Sequence, residues 1–272
     1  MRAEVKILSL SYLMLLSFMI MTALFDGILS TIVYYLGYFV AIIVGMILYS
    51  VERKVKIFSL DFLKIDKRGC AITALSLAPT VALIMGVSYL TTLLLSATTG
   101  AMQSVELDGR IWVDILVHAI IPAILEEALF RYLPFRVLSG GSKWRVVVFS
   151  SIFFACIHTS FFSIPYAFVA GAVFMTVDIL SDSVIPSLIL HFCNNLLSVT
   201  WLYFADNSVF CKSYLTVLLT LAFLSVVVMA VFCRGELKKL ASVMREGEKL
   251  VLSYEPLLFI VPTVVLAVYE LI

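Results

Sequence analysis

The sequence predicts an all-α protein, a polytopic transmembrane helix bundle of about eight or nine spans. Hydrophobic residues make up 62% of the 272-residue chain, charged residues only 14%, and mean hydropathy is +1.11. Soluble domains are roughly 45–50% apolar. The apolar runs recur from one end of the chain to the other, many of them near the ~20 residues a helix needs to cross a hydrocarbon core of about 30 Å. No hydrophilic stretch is long enough for a globular unit, so residues 1–272 read as a single membrane domain.

The spans fall near 7–25, 29–49, 71–95, 111–135, 146–159, 164–180, 185–204, 214–232 and 254–272. The fifth and sixth are short, and the ninth contains Pro256 and Pro262. Basic residues before the first run resemble a secretory leader, but the run is long and lacks a small-residue cleavage site, so it reads as a span. Lys and Arg accumulate in cytoplasmic loops. With the N-terminus cytoplasmic, all of the 19 Lys and Arg except Arg110 and Lys212 lie on the cytoplasmic side. The basic connection 233–250 is either an amphipathic helix on that surface or a solvated loop. A bacterial cytoplasmic membrane suits the compact chain, with the endoplasmic reticulum as the alternative.

The net charge of +1 says little about partners, and no nucleic-acid contact is expected. The five cysteines are scattered singly without CxxC spacing and read as small apolar residues. No internal repeat is visible, which argues against a proton- or ion-coupled transporter.

Ionisable side chains inside spans are costly, and each is a functional hypothesis. Here they are Asp114, His118, Glu126, Glu127, Arg131, His158, Asp178 and His191, joined by the amides Asn194 and Asn195. Glu127 and Arg131 are four apart and share a helix face, so they can pair as structural support. Glu126 is turned about 100° away and is left as the carboxylate without that partner. His191 and Asn195 also share a face, and Phe154 stands one turn before His158. At about 1.5 Å per residue, Glu126, His158, His191 and Asn195 lie roughly 9–20 Å from the basic-side ends of their spans. They can share one level in the cytoplasmic half of the membrane.

His118 lies about 12 Å further outward than Glu126 and is expected to be structural or water-binding. Asp114 is expected to be solvated near the outer end. Asp178, close to Asp182, is expected to be solvated or locally hydrogen-bonded. The run FFSIPYAF at 161–168 reads as an interfacial aromatic belt and turn.

A carboxylate with a neighbouring imidazole can hold and deprotonate a water. A second histidine and an amide can donate hydrogen bonds to the oxyanion of a tetrahedral intermediate. That set fits amide hydrolysis. It also fits a zinc site, with Glu126, His158, His191 and Asn195 as ligands, although HExxH is absent.

EEALFR, FACIH and HFCNN, in this order and in separate spans over residues 126–195, resemble the EExxxR, FxxxH and HxxxN motifs of the CPBP (CAAX protease and bacteriocin-processing, Abi) family of intramembrane proteases, which includes the type II CAAX prenyl endopeptidases. The resemblance implies that Glu126 and His158 activate water and that His191 and Asn195 stabilise the oxyanion, with Glu127 and Arg131 in support. It places the catalytic-motif helices within 111–204. A metal-free, glutamate-type protease is the favoured reading and zinc the alternative. The implied partners are membrane lipid and a peptide precursor, membrane protein or CAAX-like C-terminus as substrate, reached through a cavity opening toward the cytoplasmic side. The competing reading is a non-enzymatic membrane scaffold or bacteriocin-immunity protein that keeps the motifs for packing.

Overall fold

A computed structural model describes residues 2–100, 107–140, 142–232 and 257–271, together with positions 235, 238, 242 and 244. The proposed amphipathic stretch at 233–250 lies almost entirely outside the described residues. The chain folds as an all-α membrane helix bundle. Its helices are α1 (Arg2–Thr22), α2 (Gly27–Arg53), α3 (Lys67–Thr99), α4 (111–137), α5 (Lys143–Cys156), α6 (Ile164–Ser181), α7 (Ile185–Phe204), α8 (Ser208–Phe232) and α9 (Leu257–Leu271), with a short 3-10 turn at Asp61–Leu63. Among the described residues, six helices (α1–α3 and α6–α8) are long and apolar enough to cross a membrane unaided. Expected spans five and nine are shorter. At 14 residues, α5 reaches only about 21 Å.

Local signals set the helix ends. Asp66 caps α3 by accepting a hydrogen bond from the Gly69 N–H at 2.6 Å, and Gly100 ends that helix at a φ of 71°, a conformation that costs glycine little. Helices α1 and α2 form an antiparallel pair in close contact at Gly37 and Gly45, where the Phe18 and Ser11 side chains leave no room for a Cβ. Small residues permit such approach in a bilayer, where dispersion rather than the hydrophobic effect joins helices. Helices α5 and α6 use the same device at Gly171, where a Cβ would lie 2.9 Å from the Ser151 Cα.

The motif helix α4 is irregular. Its α-helical pieces Ile111–Ile115, Ile121–Glu127 and Leu133–Val137 are separated by π-helical turns at Leu116–Ile120 and Ala128–Tyr132. Each π turn immediately precedes a piece with proline at its second position, Pro122 and Pro134. Proline has no N–H to give and crowds the preceding turn, and a freed carbonyl inside a membrane must find another donor. Both do. Val117, five residues before Pro122, accepts from the Tyr35 hydroxyl at 2.9 Å. Phe130, four before Pro134, accepts from the Ser150 hydroxyl. The bulges thus pin α4 to α2 and to α5.

The core surrounds this helix. Tyr12 of α1 stacks between Phe130 and Phe153, with ring centroids 5.2 and 4.3 Å away. The basic end of the bundle is closed by the 54–66 loop. Arg136 donates to the Lys56 and Ile57 carbonyls, and Tyr132 donates to the Ser59 carbonyl at 2.6 Å. Phe62 meets Phe135 edge-on at 5.0 Å, and its carbonyl accepts from the Val184 N–H at 2.9 Å.

Candidate active site

Glu126, Glu127 and Arg131 are buried on α4, and Arg131 is fully enclosed. Arg131 Nε lies 3.2 Å from Glu127 Oε2. The guanidinium carbon sits 4.0 Å from the Phe154 ring centre and 5.2 Å from that of Phe174, so π faces take the place of water around the cation. Sequence spacing alone leaves Glu126 pointing away from this group. In the structure His191 of α7 bridges the two carboxylates: Nδ1 lies 2.7 Å from Glu127 Oε1, and Nε2 lies 3.7 Å from Glu126 Oε2. The divergence of adjacent residues brings the carboxylates to opposite nitrogens of one ring.

The hydrogen bonds settle the roles of the ring nitrogens. A carboxylate only accepts, so His191 Nδ1 carries the proton it gives Glu127. Nε2 is left for Glu126 and for whatever occupies the cavity. His158 Nδ1 donates to the Phe154 carbonyl at 2.9 Å, leaving its Nε2 as the acceptor. Phe154 braces both imidazoles, with centroids 5.0 Å from His158 and 5.7 Å from His191. The Asn195 carbonyl oxygen accepts from the Asn194 amide at 3.2 Å, which leaves the Asn195 NH₂ free to donate.

All four residues singled out by spacing, Glu126, His158, His191 and Asn195, line one cavity of about 1120 Å³. Its walls include Tyr34 and Tyr35 of α2, Met85 and Tyr89 of α3, His118 of α4 and Tyr166 of α6. Among the described residues no three His, Cys, Asp or Glu side chains are grouped to hold an ion; the Nδ1 atoms of His158 and His191 are engaged, which leaves Nε2 of each ring for a water or a ligand.

Several expectations are corrected. Asp114 is buried, not solvated: it accepts from the Tyr203 hydroxyl and from the Asp108 N–H, and lies 3.6 Å from His118 Nε2. Asp178 is buried and locally hydrogen-bonded, accepting from the Ser187 N–H at 2.9 Å. The 161–168 stretch contains the expected turn; within it Phe162 is buried, Tyr166 faces the cavity and Phe168 is exposed. The cavity does not extend toward the basic loops. It is lined by the end of α1, the start of α2 and the second half of α3.

Motif spacing also missed Tyr38, which is buried and donates to Glu126 Oε1 at 3.4 Å; its hydroxyl lies 3.1 Å from that of Tyr34. A signal was available. Two tyrosines four apart in an apolar span place two hydroxyls that need partners on one face.

Residues 108–197 match the family model "Type II CAAX prenyl endopeptidase Rce1-like". The match covers α4 to most of α7, the helices that carry the three motifs. No curated protein and no solved structure gives a significant match to the chain. An all-α membrane bundle with this central match is similar to the CAAX-protease type of intramembrane endopeptidase, and a protease implies a peptide or protein substrate.

Proposed function

We propose that the protein is a metal-free intramembrane endopeptidase in which Glu126 and His158 activate water and His191 and Asn195 hold the oxyanion. The supporting observation is the convergence of these four side chains, from three motifs on three segments, on one cavity inside a membrane bundle. Glu126 takes a proton from a water that His158 Nε2 orients, and the water oxygen attacks the scissile carbonyl carbon. The tetrahedral oxyanion accepts hydrogen bonds from the Asn195 amide and from His191, which Glu127 holds in place at Nδ1. Glu126 returns its proton to the departing amine as the C–N bond breaks. The products are a carboxylic acid and an amine. Glu127 and Arg131 position His191 without touching substrate.

Substrates under this reading are peptide precursors, membrane proteins or CAAX-like C-termini. The test compares new peptide termini in membranes holding wild type or Glu126→Gln at matched levels. Termini present only with wild type are expected. Equal profiles from two correctly inserted proteins would reject the assignment in favour of a scaffold or immunity role.

A further inference from the structure

We infer that substrate reaches Glu126 from the non-cytoplasmic half of the bilayer, sideways between α2 and α3, and that the substrate class is therefore membrane-inserted segments. This deepens the endopeptidase reading and rests on it for the word substrate, although the access route does not.

Four observations converge. Much of the cavity lining comes from the helix halves nearest the α1–α2 turn, where Thr22 ends α1, Ser30 begins α2, Thr92 lies in the last quarter of α3, His118 near the start of α4 and Leu215 near the start of α8, while Glu126, Phe174 and His191 form its floor, past the middle of their helices toward the basic end. The basic residues cluster at the other end, on the 53–68 segment and at 131–145. Cytoplasmic loops are the ones enriched in Lys and Arg, so the cavity opens toward the non-cytoplasmic side. The basic end is also physically shut, because the Arg136 and Tyr132 side chains and the Phe62 carbonyl fasten the 54–66 loop across it.

The fourth observation is the side entrance. Among the described residues, α2 packs on α1 and α4, whereas α3 packs on α6, α7 and α8. The two helices face each other across the cavity and form no packed interface. Short α5 ends at mid-depth and fills none of the space beyond His158. Hydroxyls line the cavity on both sides, Thr31 on α2 and Ser88, Tyr89 and Thr92 on α3, while Ser30 and Tyr34 of α2 are engaged with the Thr22 carbonyl and the Tyr38 hydroxyl. An unwound peptide cannot leave its N–H and C=O groups bare in hydrocarbon. Those hydroxyls are the partners that a segment pulled from a helix into extended form requires.

The test uses the full-length protein in intact cells with a membrane-impermeant maleimide. Thr92→Cys and Ser30→Cys are each compared with wild type, whose native Cys211 near the cavity end and exposed Cys70 near the basic end set the background for the two sides. Labelling of either variant above background in unopened cells, with Cys70 labelled only after lysis, is expected. Labelling of both variants only in opened cells, or in neither preparation, would overturn the inference. Neither result depends on turnover. The termini comparison then separates the two ideas: cuts confined to membrane-inserted or externally flanking sequence support the substrate class, cuts at cytosolic C-termini overturn it, and an absence of cuts sinks the protease reading while leaving the access route standing.

Discussion

His191 Nδ1 lies 2.7 Å from Glu127 Oε1, and the other oxygen of the same carboxylate lies 3.2 Å from Arg131 Nε. One glutamate thus ties a histidine on α7 to an arginine on α4. Removing its charge strands the enclosed guanidinium, and breaking a buried pair by deleting one partner costs about 3–5 kcal/mol. Glu127→Gln is expected to lower thermal stability in detergent by that order. Glu126 has no arginine partner, so Glu126→Gln is expected to stay close to wild type in the same melt while losing cleavage.

Tyr38 donates to Glu126 from a helix outside the family match. Hydrogen bonds to charged groups are worth about 1.5–3 kcal/mol, and at 3.4 Å this one sits at the weak end. Tyr38→Phe keeps the ring packing and is expected to lower kcat about tenfold with KM unchanged. A matching rise in KM would assign Tyr38 to substrate binding.

Asn194 orients Asn195. Asn195→Ala removes the proposed oxyanion donor and is expected to cost about 10²–10³ in kcat. Asn194→Ala leaves that donor in place but frees its amide to rotate, so a smaller loss in kcat with wild-type thermal stability is expected. Equal losses from both variants would make Asn194 a direct participant.

Gly171 permits the close α5–α6 contact, where a Cβ would meet Ser151 and the ring of Phe154, whose carbonyl holds His158. Adding a side chain against the Ser151 backbone is overpacking, which costs about 1–3 kcal/mol. Gly171→Val is expected to lower stability and cleavage together, whereas Gly140→Ala, away from the cavity and where a Cβ meets nothing within 4 Å, leaves both unchanged.

The fold class and the four cavity residues were legible because both depend on local pattern. Apolar run length marks a span, and His191 and Asn195 at i, i+4 share a face whatever surrounds them. The same rule found Glu127 with Arg131. It could not show that His191 joins them, since that contact spans 64 residues and depends on how α7 packs. Burial of Asp114 was missed for a similar reason, its Tyr203 partner being 89 residues away. The level of the site was read by counting residues from the basic ends. The extent of the cavity depends instead on where α5 stops and on which helices do not touch, and neither has a sequence signal.

Thr263 of α9 donates to the carbonyl of Cys156, 107 residues earlier, at 3.0 Å. Cys156 is the last residue of α5, two before His158. The end of that helix lies in the bilayer, where a bare carbonyl is costly, and its donor is made only after all three motifs. The pocket therefore cannot be finished in the order in which it is made: the helices bearing all three motifs are made first and wait for a segment without any of them, so a nascent chain that already holds every candidate catalytic residue still has an unfinished pocket.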